Sequence, residues 1–176
     1  MFNNIQKLIP SQLDENQVGF LVKMINGVYL ESEAELWKDE HFRITGPRLL
    51  EIIKKEELLL VVDGDAICGC VHLEPINKTM HKFKMLVANP KFKGKGVGSI
   101  LVDFAEVEAR KKGAKKMQLE LLVPTEFEHA DKVFLKTWYT RIGYQKVAEQ
   151  SVDAAHEGLS KLLKTGCVAE IYQKVL

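Results

Sequence analysis

Apolar positions recur along this chain with two different periods. Asp14 followed by Gln17 reads as a helix N-cap with a capping box, and Val18, Leu21, Val22 and Ile25 then return at helical spacing. Gly27 is the expected end of that helix. Residues Glu31 to Glu40 are acidic and helix-compatible and carry Trp37. Thr45-Gly46-Pro47 opens a second short helix whose apolar residues are Leu49, Leu50, Ile52 and Ile53. The period then changes. Leu58 to Val62 and Ala66 to Leu73 are strand-like runs joined by the turn Asp63-Gly64-Asp65, which predicts a hairpin. Met80 to Ala88 alternates as a third strand, with Phe83, Met85 and Val87 on one face and Lys82, Lys84 and Leu86 on the other.

The clearest helix runs from Val97 to Lys112, with Val97, Ile100, Leu101, Phe104 and Ala105 as its apolar stripe. Arg110, Lys111 and Lys112 crowd its last turn, where the helix dipole favours cations, and Gly113 follows as a cap. Lys116 to Val123 is a strand stopped by Pro124, and Asp131 to Ile142 is a helix ended by Gly143. Tyr144 to Glu149 and Cys167 to Val175 read as closing strands, with a short helix from Glu157 to Leu163 between them. This order predicts one α/β domain over residues 1–176 with a mixed sheet.

Composition narrows the class. A chain of 176 residues that is 46% hydrophobic and 28% charged supports one well-buried core. Lys and Arg number 25 against 24 Asp and Glu, so the basic excess of a nucleic-acid binder is missing. The three cysteines, Cys68, Cys70 and Cys167, fit neither a disulfide framework nor a zinc pattern. Cys68 and Cys70 are expected on one face of their strand as small core residues. The opening MFNNIQKLIP lacks the features of a signal peptide, and no apolar run reaches the roughly 20 residues that span a bilayer. A cytoplasmic protein without membrane or nucleic-acid partners is the expectation.

The candidate chemistry lies in LVANPKFKGKGVGSILVDFAE, Leu86 to Glu106. A strand ends, Gly94, Gly96 and Gly98 follow, and a helix opens at once. Unpaired N–H groups and the positive end of the dipole then face outward together, which suits a phosphate. Between Glu74 and Asp103 there is no acidic residue, while Lys78, Lys82, Lys84, Lys91, Lys93 and Lys95 all fall in that window. The letters do not supply the P-loop G-x-x-x-x-G-K-[ST]. A G-x-G-x-G run after three strands also fits a Rossmann fingerprint poorly.

Lys93-Gly94-Lys95-Gly96-Val97-Gly98 resembles the [Q/R]-x-x-G-x-[G/A] signature of the GNAT acetyltransferase superfamily, with Lys93 standing where that family has Gln or Arg. Val87-Ala88-Asn89-Pro90 is similar to the strand end that precedes it, and Trp138 to Tyr144 resembles the downstream Y-x-[K/R]-x-G-[F/Y] signature. The resemblance covers about Leu58 to Leu176. It implies a strongly twisted mixed sheet split near Val87 in the fourth strand, with helices on both faces.

The resemblance further implies acetyl-coenzyme A as acyl donor, no metal, and direct transfer to an amine of a small molecule or peptide; a homodimer is common among members. On the same resemblance Lys93, Gly94, Lys95, Gly96, Val97, Gly98 and Ser99 hold the pyrophosphate, and Leu86 and Val87 line the thioester and pantetheine. A backbone N–H near Val87 then polarises the thioester carbonyl, and Tyr139 protonates the departing thiolate. For the base, Glu74 and His81 are the leading candidates, His81 by its pKa near 6.5 and Glu74 by its place beside the adjoining loop, and His72 and Glu120 are further ones. Glu128 and His129 are candidate acceptor contacts. In the family the region around Trp37 forms one wall of the acceptor site; Glu31, Glu33, Glu35, Asp39 and Glu40 there would either attract a cationic amine or form a solvated acidic helix. The alternative is a non-catalytic acyl-coenzyme A sensor.

Overall fold

The computed structural model describes residues 4–39 and 42–176. Its strands are β1 (Ile5–Leu8), β2 (Leu58–Asp63), β3 (Ala66–Asn77), β4 (Met80–Ala88), β5 (Lys116–Pro124), β6 (Gln145–Ser151) and β7 (Cys167–Val175). Its helices are α1 (Glu15–Ser32), α2 (Gly46–Lys54), α3 (Val97–Lys111), α4 (Ala130–Arg141) and the single turn α5 (Val152–Ala155). The sheet has seven strands in the order β1-β2-β3-β4-β5-β7-β6, antiparallel except for β4 against β5. The mixed α/β class expected from the sequence holds. β1, too short to stand out in the pattern, adds an edge strand.

Two apolar layers sandwich the sheet. Leu59, Val61, Phe83, Leu101, Phe104 and Leu119 belong to the core under α3, which Trp138 and Tyr139 of α4 extend. Leu21, Ile25, Leu49, Ile52, Leu58 and Leu60 form the core under α1 and α2. A smaller cluster of Leu36, Trp37, Val152 and Leu163 ties the α1–α2 connection to the β6–β7 connection. Backbone bonds from Lys38 N to Leu162 O and from Lys164 N to Leu36 O, both 3.0 Å, close that join.

Asp14 caps α1 with the expected capping box. Gly27 does not end the helix, which continues to Ser32, because Val28 and Tyr29 still pack on the α1–α2 core. The acidic stretch after it is turn rather than helix, and Trp37 bridges to Leu163. Glu40 lies outside the described residues.

Two bulges change which way side chains face. In β3 the pairing jumps from Val61↔Gly69 to Val62↔Ile67, so Cys68 is an extra residue. Cys68 therefore packs under α3 and Cys70 under α1 and α2, on opposite faces rather than one. In β4 the pairing steps from Cys70↔Val87 to His72↔Lys84, and Met85 takes φ 51°. Phe83 consequently faces α3, while Met85 and Val87 face α1 and α2. The alternation read from the sequence breaks there because the backbone carries one residue more than its partner strand.

β4 and β5 pair only through Met80↔Lys116, His81↔Met117 and Lys82↔Gln118. Beyond Lys82 the two strands diverge, so the sheet is split from Phe83 onward and Val87 lies inside the open part. Along that stretch β4 has β3 on one side and no strand on the other. Alternate backbone groups of β4 therefore face the split. Among the described residues no helix is long and apolar enough to cross a membrane.

Candidate active site

The glycine-rich loop sits at the open end of the split. β4 ends at Ala88, a 3-10 turn spans Pro90–Phe92, and α3 begins at Val97. Asn89 fixes the exit. Its backbone N–H donates to Cys68 O at 2.8 Å, its Nδ2 donates to Ile67 O at 2.8 Å, and its Oδ1 accepts from Lys91 N at 3.0 Å. The β3 bulge is what presents those two carbonyls together. In the sequence Asn89 reads only as part of a turn.

Gly94 and Gly96 both hold φ 77°, a left-handed backbone that side chains disfavour. Gly96 is the N-cap of α3 and no side chain caps the helix. The first helical bond runs from Ile100 N to Gly96 O at 3.1 Å, so the amides of Val97, Gly98 and Ser99 precede the ladder as open donors. Lys91, Lys93 and Lys95 are exposed at this loop. The other lysines of the basic window are placed elsewhere: Lys82 and Lys84 bind Glu74, and Lys78 follows the end of β3. Val97 is buried and anchors the first turn; Gly98 lets Trp138 of α4 lie over it, 3.5 Å from where a Cβ would stand. These features fit a pyrophosphate: backbone donors, the helix dipole and three ammonium groups at one helix start.

A cleft of about 600 Å³ passes through the split. Phe83, Leu86, Leu119 and Tyr139 line it from the α3 side. Tyr29, Arg43, Ile52, His72, Lys84 and Met85 line it from the α1–α2 side. Tyr139 is buried among Phe83, Trp138 and Tyr144, with ring centroids 6.0, 4.9 and 5.9 Å away. Burial, reinforced by Tyr29, pushes its hydroxyl well above the ordinary tyrosine range, so it stays protonated. Tyr144 is a structural member of the same signature: its hydroxyl donates to Glu106 at 3.0 Å, docking the turn after α4 onto α3.

The base candidates separate. His81 pairs across to Met117 at the closed end of the split, near Lys112, and does not line the cleft. Glu74 also stands outside the lining. Partial burial raises its carboxyl, but hydrogen bonds from Lys82 and Lys84 outweigh this and hold it at about 2. Such a carboxylate is a weak base. His72 does line the cleft, is 1% exposed, and places Nε2 3.0 Å from Glu57 Oε2. Its Nδ1 has no hydrogen-bond partner. Burial pulls its pKa below 6.5, only partly offset by Glu57, so the ring is neutral at pH 7. Glu120 lines the cleft but is engaged by His156 Nε2 at 2.6 Å. Glu57 was not singled out in the sequence, where nothing marks a carboxylate just before β2.

Glu57, His72 and Glu74 bring three metal-type ligand atoms within 4.8 Å. Lys82 and Lys84, at 2.8 and 3.0 Å from Glu74, already supply the positive charge there. The cysteine thiols are unsuited to attack. Burial pushes Cys70 up to about 12 and Cys167 up to about 11.

Of the described acids in the stretch around Trp37, Glu33 alone lines the cleft. Glu33 is buried, accepts from Lys132 Nζ at 2.6 Å and from Trp37 Nε1 at 3.1 Å, and is thereby neutralised. His129 lies 3.9 Å from Glu35, and neither it nor Glu128 lines the cleft.

A sequence profile of the acetyltransferase (GNAT) domain matches residues 54–146. No curated protein matches the chain by sequence. Among solved structures, the PaiA N-acetyltransferase of Thermoplasma acidophilum in complex with coenzyme A superposes with TM-score 0.71 at 15% identity, over 99% of this chain and 100% of that one. YncA of Salmonella typhimurium, with its cofactor acetyl-CoA, gives TM-score 0.71 at 14% identity over 99% and 95%. N-acetylglutamate synthase of Neisseria gonorrhoeae, with coenzyme A and N-acetylglutamate, gives 0.67 at 14% identity over 99% of this chain and 35% of that one. The profile covers more than half of the chain, and the split sheet, the glycine loop and the likeness in fold agree with it: the chain belongs to the GNAT acetyltransferase family.

Proposed function

We propose that this protein transfers an acetyl group from acetyl-coenzyme A directly to a primary amine of a small molecule or peptide. The feature that supports the reading is an uncapped, glycine-opened helix start that follows a split β4, with the cleft lined by Leu86 two residues before that strand ends. The three solved structures named above are described with coenzyme A or acetyl-CoA, which supports the same donor.

The amides of Val97, Gly98 and Ser99, with Lys93 and Lys95 beside them, hold the pyrophosphate. Leu86 and the backbone near Val87 line the pantetheine arm. The donor supplies an activated thioester, and a β4 N–H facing the split hydrogen-bonds its carbonyl oxygen as negative charge builds there. His72 takes the proton of the amine at Nδ1, directly or through a water, while Glu57 accepts from Nε2 and fixes the tautomer. Tyr139 keeps its proton and donates a hydrogen bond to the departing thiolate. An ordinary thiol has a pKa near 8.5, so full transfer from this raised tyrosine is uphill and stabilisation by the hydrogen bond is its contribution.

The test is thiol release from acetyl-coenzyme A across a panel of amines, with the product identified by mass. Acetylated amine in step with free thiol supports the reading. Binding of acetyl-coenzyme A without acetylation of any amine favours a sensor instead.

A further inference from the structure

We infer that the acceptor carries a carboxylate as well as its amine, and that Arg43 is the residue that reads it. This rests on the transferase reading above and names the substrate class of the same cleft.

Among the described residues four cations line the cleft: Arg43, Arg48, Lys84 and Lys132. Three have carboxylate partners. Lys132 holds Glu33 at 2.6 Å, Lys84 holds Glu74 at 3.0 Å, and Arg48 holds Glu51 at 2.7 Å. Among the described residues no carboxylate lies within ion-pairing distance of Arg43. Its guanidinium instead sits 4.5 Å over the centroid of the Tyr29 ring.

That position is built. Asn26, buried in α1, donates from Nδ2 to Ile44 O at 2.9 Å and accepts from Ile44 N at 3.0 Å. The two bonds fix the backbone next to Arg43, where the chain has no helix or strand to hold it. A guanidinium restrained by Tyr29, which also takes a hydrogen bond from it, has further N–H donors for a carboxylate, whose two oxygens match its fork. Glu33 feels the Arg43 charge but is itself held by Lys132 at 2.6 Å, and Glu120 is held by His156 at 2.6 Å. This wall therefore favours an anionic group and disfavours the purely cationic amine that the acidic sequence suggested. His72 and Lys84 face each other across the β3–β4 pairing and line the same cleft, so a ligand held by Arg43 shares the cavity with the base. An ammonium and a carboxylate on one small framework, as in a free amino acid or a peptide C-terminus, is the chemistry that fits.

The test has a kinetic and a binding arm. Free L-amino acids are compared with their carboxamides as acceptors, and short peptides with free or amidated C-termini separate the two sources. N-acetyl-L-amino acids and their amides are titrated onto the protein by calorimetry. The acids should be preferred about 10- to 100-fold in kcat/KM and in affinity, as for hydrogen bonds to a charged group. Arg43→Gln should erase that preference and leave acetyl-coenzyme A affinity in place, and Arg43→Lys should keep part of it. Equal use of acids and amides, no binding of any N-acetyl acid, or an equal loss on both in Arg43→Gln would overturn the inference. A wild-type protein that binds no acetyl-coenzyme A overturns the transferase reading instead, while the acid and amide titrations still report on Arg43.

Discussion

A Cβ placed on Gly69 would stand 2.5 Å from Val87 O, and 2.8 Å from Val97 Cγ1. At Gly69, β3 thus lies against both the end of β4 and the first turns of α3. The bulge at Cys68 turns this residue toward the helix, and only a missing side chain leaves room. Gly69→Ala should destabilise the fold by about 1–3 kcal/mol, the usual cost of overpacking. It should also weaken acetyl-coenzyme A binding, because α3 must lift off the sheet and carry its open amides with it. Urea unfolding and calorimetry measure the two effects, and unchanged stability would show that β4 has slack there.

Tyr139→Phe should lower kcat by about 10- to 100-fold, as for the loss of a hydrogen bond to a charged group, and leave acetyl-coenzyme A affinity unchanged. Burial holds the Tyr139 hydroxyl far above its ordinary value. The rate should therefore show no loss from this residue as pH rises to about 10. An inflection near pH 8 that vanishes in the variant would contradict that assignment.

His72 should set the acid limb of kcat/KM. The ring must be neutral to accept a proton, and burial lowers its pKa below 6.5, so the acid limb should lie below the pH at which an ordinary imidazole titrates. His72→Asn should remove the limb along with most of the rate. Glu57→Gln deletes a group that raises the His72 pKa, so the limb should move to lower pH while the rate falls. The same titration couples to stability. The unfolded ring takes its proton near 6.5, the folded ring only at lower pH, so the contribution is complete above 6.5 and lost as pH falls through the folded value.

Lys132 and Glu33 form a pair in which both side chains are 7% exposed or less. Removing one partner strands a buried charge. Lys132→Met should cost about 3–5 kcal/mol, and adding Glu33→Gln should recover part of it. Chemical denaturation of the single and double variants checks this.

The elements of the fold were legible where periodicity was strong. Met80–Ala88 and Cys167–Val175 fall where the pattern placed them, and the α3 helix differs from its reading by one residue. What the pattern could not carry was the bulges. A single extra residue at Cys68 or Met85 leaves the letters unchanged and reverses the face of everything beyond it. The glycine loop was readable because its φ values demand glycine at Gly94 and Gly96. The base was not. His72 became the candidate only when folding brought Glu57, fifteen positions earlier, to its Nε2. The acidic segment misled for the opposite reason: Lys132, far along the chain, consumes Glu33.

The central claim is that acetyl-coenzyme A is held by the α3 N-terminus. Calorimetric titration of acetyl-coenzyme A into the wild type and into Gly96→Glu tests it most directly. Gly96 has φ 77° and open space where a Cβ would stand, so the variant adds strain and a negative charge at the open amides without a clash in the core. Micromolar binding by the wild type that is lost in a still-folded Gly96→Glu is the predicted result. Absent binding by the wild type, or equal binding by both, would contradict it.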